Sequence, residues 1–178
     1  HDALPIWNNA RGLALVSNDE ENVIVDIKMK VPFCKNNSGS SAIWLSRSSI
    51  ATLSESKDKL LVNEIGGVTA RQIQIPKSEH IFSSSAQRVY LSTRLSLILF
   101  DVIKSQSLVE IPFRNAKSVT FDDKKEMICV RNQNSILIAK ADLSEYHIYT
   151  ESSKIKSCCW HGKAILYTTR NSLKYILK

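Results

Sequence analysis

No stretch of this 178-residue sequence approaches the roughly 18 consecutive apolar residues that a membrane-spanning helix requires, and its first residues lack the basic-then-apolar order of a secretory signal. No segment is expected to cross a membrane as a helix. Cysteine is scarce, with four in all at Cys34, Cys129, Cys158 and Cys159, and none in spaced pairs. That scarcity excludes the dense disulfide framework of a small secreted scaffold and favours a reducing compartment. Clustered positive charge is missing as well. The 24 Lys and Arg against 17 Asp and Glu leave a net charge of +7, yet the basic residues fall singly, as at Lys57, Arg71, Arg88 and Arg94, with only short clusters such as Lys124-Lys125. Nucleic-acid binding would need a basic patch interleaved with aromatics, so the excess reads as solvated surface charge. Finally, no segment of helical length carries a period of 3.6, which points away from helices altogether.

What is present instead is a succession of short apolar or alternating runs separated by Ser, Asn, Asp, Gly and Lys, the signature of strands and turns. Strands are expected at residues 13–17, 23–27, 42–45, 50–53, 60–64, 71–75, 80–83, 89–92, 96–102, 108–111, 118–121, 127–130, 136–139, 146–149, 156–160, 165–169 and 173–176. They group in fours. New units open near Ser41, Glu79, Asn115 and Lys154, about 38 residues apart, close to the repeat of a four-stranded propeller blade. The runs LSLILF (95–100), SILIA (135–139) and AILY (164–167) are apolar on both faces, as suits a strand in the middle of a sheet covered by neighbours on either side. Residues 71–75 and 146–149 alternate, as an outer strand does. Fold class is therefore all-β, part of a WD40-type propeller of about four blades. Three complete blades with a partial one at each end do not close a ring of four to eight. HDALPI, at residues 1–6, matches one reading frame of a widely used sequencing adapter, so these residues are expected to be non-native, with the partial propeller domain running over 8–178.

The stretch SCCWHGKAIL (157–166) is the one place where cysteine, histidine and tryptophan crowd together. In a strand, Cys159 and His161 share one face while Cys158 and Trp160 take the other. Two converging ligands fall short of the four of a structural zinc site, and Cys34, Cys129, His80 and His147 lie in other predicted blades. A nucleophilic thiol needs a base and an electropositive, accessible setting, so a buried packing role is expected for Cys158 or Cys159. Trp44 and Trp160, each at the end of a unit's first strand, read as repeated packing residues. Asp122-Asp123-Lys124-Lys125 reads as a polar turn, and Gly66-Gly67 as a hairpin turn with no phosphate-loop lysine after it. No catalytic, cofactor-binding or metal-ligating residue is assigned, and no enzyme is expected.

Three segments, SGSSAIWLSRSSIATL (38–53), SLILFDV (96–102) and IKSCCWHGKAILYTTRNSLKYIL (155–177), resemble the coatomer WD-associated region, which forms the second β-propeller of α-type subunits. The likeness runs from about residue 8 to the end. It departs from the family at the cysteine pair, where small residues are more usual, and across 28–37, which aligns only loosely. The resemblance implies a structural role in the COPI coat, acting in Golgi-to-ER and intra-Golgi transport, without catalysis or cofactor. It implies partners among the other coatomer subunits, of β′ and ε type, and a cytoplasmic location peripheral to Golgi membrane and coated vesicles. The family's pocket for dilysine cargo tails belongs to the first propeller, so none of its residues is carried over. A β′-type coatomer or another WD40-type interaction scaffold is the alternative.

Overall fold

A computed structural model describes residues 6–8, 12–17, 22–36, 42–66, 71–85 and 87–177, and among them there is no helix. Strands β1 (Ile6–Asn8), β2 (Leu13–Ser17), β3 (Asn22–Asp26) and β4 (Val31–Asn36) form the first sheet in chain order. The second holds β5 (Ala42–Trp44), β6 (Ser49–Leu53), β7 (Lys59–Glu64) and β8 (Arg71–Gln74). The third holds β9 (His80–Ser83), β10 (Arg88–Ser92), β11 (Leu97–Asp101) and β12 (Gln106–Ile111). The fourth holds β13 (Ser118–Phe121), β14 (Met127–Arg131), β15 (Ser135–Lys140) and β16 (Tyr146–Thr150). The last has three strands, β17 (Ser157–His161), β18 (Ala164–Thr168) and β19 (Leu173–Leu177). Each is an up-and-down antiparallel meander, the arrangement of a propeller blade. The chain divides into two compact units, one of His1–Leu91 with Phe100–Gln106 and one of Ser92–Leu99 with Ser107–Lys178.

The apolar runs sit where their composition requires. All five residues of β11 are buried, as are Ile136, Leu137, Ile138 and Ala139 of β15. Leu137 pairs with Val130 on one side and Ile148 on the other, so its backbone is satisfied within the sheet while its side chain is shut from water. β8 and β16 remain largely exposed, as their alternation predicts. AILY differs from expectation. Ile165 is buried, but Leu166 and Tyr167 are only half-buried, because the last sheet is packed on one face alone among the described residues.

Two strands were not legible in the pattern. β1 has three residues, too few for a period, and β4 contains Pro32, which lacks a backbone donor and argues against a strand interior. Both lie at the edges of the first sheet, the position where proline is tolerated, and the β3–β4 register slips by one between Ile24 and Val25. The first sheet is therefore a full set of four strands where the sequence pattern marks only two.

Several hairpins share one turn form. With only five glycines in the chain, the left-handed turn position is often filled by another residue: Lys30 (φ 56°), Lys57 (φ 63°), Ser105 (φ 53°), Lys125 (φ 58°) and Leu143 (φ 61°). A short polar side chain at the turn's first residue supports several of them. Asp26 accepts from Met29 N at 2.9 Å, Asp101 from Lys104 N at 2.8 Å, and Asp122 from Glu126 N at 2.9 Å and Met127 N at 3.0 Å. A side chain with a Cβ at positive φ costs about 1 kcal/mol. Lys125 is exposed and its side chain packs little, so Lys125→Gly is expected to raise stability by up to about 1 kcal/mol, and Lys125→Val to lower it by a similar amount. Urea midpoints of the two variants check both signs.

Candidate functional site

Strand β17 carries the cluster singled out by the sequence, and its register divides the residues as an extended strand must. Cys159 and His161 are exposed, whereas Cys158 and Trp160 turn inward. The inward face joins a core made by both neighbouring sheets: Cys129, Ile136 and Ile138 from the fourth, Ile155 and Ile165 with the last, and Met127, Cys158, Trp160, Tyr167 and Ile176 packed around them. Trp160 donates its indole N–H to the backbone carbonyl of Thr120 at 3.1 Å, which fixes the ring across the two sheets. Trp44 occupies the corresponding place at the end of β5, packed on Leu13, Leu15, Ile24 and Ile50. The two tryptophans are thus a repeated inter-sheet wedge. The thiols differ from expectation: Cys158 is half-buried and Cys159 is exposed.

Membership of different blades was expected to keep Cys129 away from β17. It does not, because β14 runs against β17 in the neighbouring sheet, and the Cys129 thiol, fully buried, donates to Cys158 Sγ at 3.5 Å. Sharing its proton with Cys158, together with burial, pushes the Cys129 thiol far up from its ordinary value. Cys158 moves the other way. Its thiolate is favoured first by the hydrogen bond from Cys129, then by the charge of Arg131 and the hydroxyl of Ser118, all against the effect of burial. Sequence separation hides this pair, and the only signal for it is the blade repeat itself, which stacks the second strand of one unit on the first strand of the next. Cys34 lies outside the residues whose side chains are described, and His80 and His147 lie tilted against Phe82 and Tyr149 of their own strands. Among the described residues no three of His, Cys, Asp and Glu form a metal-ligating group.

Beside the cluster, Glu151 gathers the Tyr167 hydroxyl at 2.9 Å and the Lys174 ammonium at 2.8 Å onto one carboxylate oxygen. The three tie β18 and β19 to the segment that leaves β16. Lys174, followed by Tyr167, holds the Glu151 carboxyl below the usual carboxylate range, while Glu151 raises Lys174, and burial, followed by Glu151, raises Tyr167. A depressed carboxyl contributes stability that is fully present above its unfolded pKa of about 4.3 and is lost as pH falls through the lower folded value. Melting temperature should therefore fall more steeply below about pH 4 in the wild type than in Glu151→Gln, where that contribution is already gone. Parallel acid slopes for the two proteins would contradict it.

A groove of about 500 Å³ opens beside Trp160, lined also by Met127, Asp122, Asp123, Lys124, Glu126 and Lys163. Its charges are of both signs and Asp122 is committed to capping its own turn, so the groove offers no convergent set of groups for chemistry. Gly66 sits at φ 79° in the turn after β7, as a hairpin turn requires, and Gly67 lies outside the described residues.

The outward face of the last sheet is apolar and open. Register sets Cys159 beside Leu166 and Tyr175, and His161 beside Ala164 and Leu177. Leu173, Tyr175 and Leu177 are 72%, 65% and 69% exposed, which makes a contiguous patch of a kind that single scattered side chains do not. The isolated chain is expected to self-associate through it. Replacing the three by Lys should shift light scattering toward monomer while leaving the melting temperature nearly unchanged, since the side chains contribute little to the described packing.

With that geometry in view, comparison with known proteins is informative. The model of the COPA/B second β-propeller matches residues 4–178. A coatomer subunit alpha of Schizosaccharomyces pombe is 24% identical over 181 aligned residues, covering 96% of this chain and 15% of its own length. Coatomer subunit alpha of Saccharomyces cerevisiae is 21% identical over 141 residues, covering 78% of this chain and 12% of its own. The chain thus spans about a seventh of the length of these relatives. Among solved structures, Hsv2p of Kluyveromyces lactis superposes with a TM-score of 0.70 at 14% identity, over 99% of this chain and 62% of that one, a likeness of fold alone. Sheets of four consecutive strands, the inter-sheet tryptophans and a family match over nearly the whole sequence converge: the chain belongs to the family of COPA/B second β-propellers of coatomer.

Proposed function

We propose that this chain is part of a structural subunit of the COPI coat, α-like, acting in Golgi-to-ER and intra-Golgi vesicle transport. The observation that carries the reading is the family match over residues 4–178. The inward face of every described sheet is filled by packing residues, and loops and blade rims are the surfaces left to engage other subunits. Its partners are the other coatomer subunits, of β′ and ε type, and it reaches the Golgi membrane peripherally, through the coat, from the cytoplasm. It has no catalytic residue, metal or cofactor, and its propeller portion takes in residues 8–178, with β1 reaching back to Ile6. The open apolar face of β17–β19 supports a piece designed to be covered by more of the same propeller.

The test places Trp160→Ala in the full-length subunit and measures capture of a β′-type coatomer subunit and of a dilysine peptide. Subunit abundance and coat assembly should fall together, with peptide binding per folded molecule retained. A well-folded variant that assembles normally but loses the peptide would put a cargo site in this region and overturn the scaffold reading.

A further inference from the structure

We propose that Cys158 and Cys129 form a redox-modification site, in which a peroxide oxidises Cys158 and Cys129 resolves the product into a disulfide tying β14 to β17. Three observations carry it. The sulfurs stand 3.5 Å apart across two packed strands, so bond formation needs only about 1.5 Å of closure by side-chain rotation. Cys158 is half-buried on an edge strand, open to a small oxidant, whereas Cys129 is fully buried. The hydrogen bond from Cys129, and then Arg131 and Ser118, favour the Cys158 thiolate, the reactive form, against the effect of burial. A reactive thiolate beside a second, resolving thiol is the arrangement of a reversible redox sensor.

The chemistry balances with the peroxide as sole oxidant. The Cys158 thiolate attacks one peroxide oxygen, the O–O bond breaks, and Cys158 becomes a sulfenic acid as hydroxide leaves and is protonated to water. Cys129 sulfur then attacks Cys158 sulfur; the S–S bond forms, the S–O bond breaks, and the Cys129 proton leaves with the oxygen as a second water. Two thiols are oxidised and one peroxide is reduced. The adjacent Cys159 is no competitor for this bond, because alternation along β17 turns it to the opposite face. The product is an internal staple between two blades that closes a loop of roughly 30 residues and opposes separation of the last sheet from its neighbour.

The test treats the full, reduced chain with limited hydrogen peroxide, alkylates the remaining thiols under denaturing conditions, and maps the peptides by mass spectrometry. Two of the four thiols should disappear, with a mass loss of about 2 Da and a reducible Cys129–Cys158 cross-link. Cys159→Ser should give the same cross-link. Cys129→Ser should give none, and Cys158 should instead carry the adduct of a sulfenic-acid trap such as dimedone. If that variant does not fold, the wild-type map decides. A Cys158–Cys159 link, a link through Cys34, oxidation confined to Cys159, or no loss of thiol overturns the proposal.

Discussion

Leu99→Asp is expected to leave the chain without a folded state. Leu99 is 2% exposed at the centre of β11, a strand in which every residue is buried. The substitution removes a leucine from the core, costing about 2 to 5 kcal/mol, and puts in its place a carboxylate whose ionised form costs several kcal/mol more unless a partner meets it. The sum rivals the roughly 5 to 15 kcal/mol that holds a whole domain together. Expression should yield insoluble protein, or soluble protein with no cooperative melt by circular dichroism. Leu99→Met, nearly equal in volume, should cost less than about 1.5 kcal/mol and serves as the control. A cooperative melt for Leu99→Asp within a few degrees of wild type would show that the face of β11 carrying Leu99 is not covered.

Trp160→Ala follows in size. The indole fills the seam between the fourth and last sheets and donates to Thr120 O, so the alanine variant loses buried aromatic area and leaves that carbonyl unanswered. A loss of about 3 kcal/mol is expected, at the lower end of the range for large aromatics because the ring is only partly buried. Trp160→Phe keeps most of the packing and forfeits the hydrogen bond, so its cost should be about 1 kcal/mol. Urea denaturation of the three proteins gives both differences. Equal stability of the alanine and wild-type proteins would remove Trp160 from the seam.

How much of this was legible in the sequence depends on the length over which each signal acts. Period and composition act locally, and they gave β2, β9 and β13 with their observed bounds and the buried character of β11 and β15. The repeat near 38 residues then supplied the blades. Local signals failed where an element was defined by its neighbours: β1 is three residues long, and β4 tolerates Pro32 only because it lies at a sheet edge. The division of Cys158 and Trp160 from Cys159 and His161 was legible because alternation is local. The approach of Cys129 to Cys158 was not, because 29 residues separate them and only the stacking of one sheet on the next brings them together. The turn at Asp122 was legible from composition, although the positive φ of Lys125 within it was not.

The coat-subunit reading is tested most directly by purifying the tagged full-length protein that contains these residues from its own cells and quantifying what accompanies it. Other coatomer subunits, β′ and ε type among them, should co-purify in near-equimolar amounts and remain through gel filtration. A full-length protein that elutes alone, or with a stoichiometric complex lacking every other coatomer subunit, would contradict it.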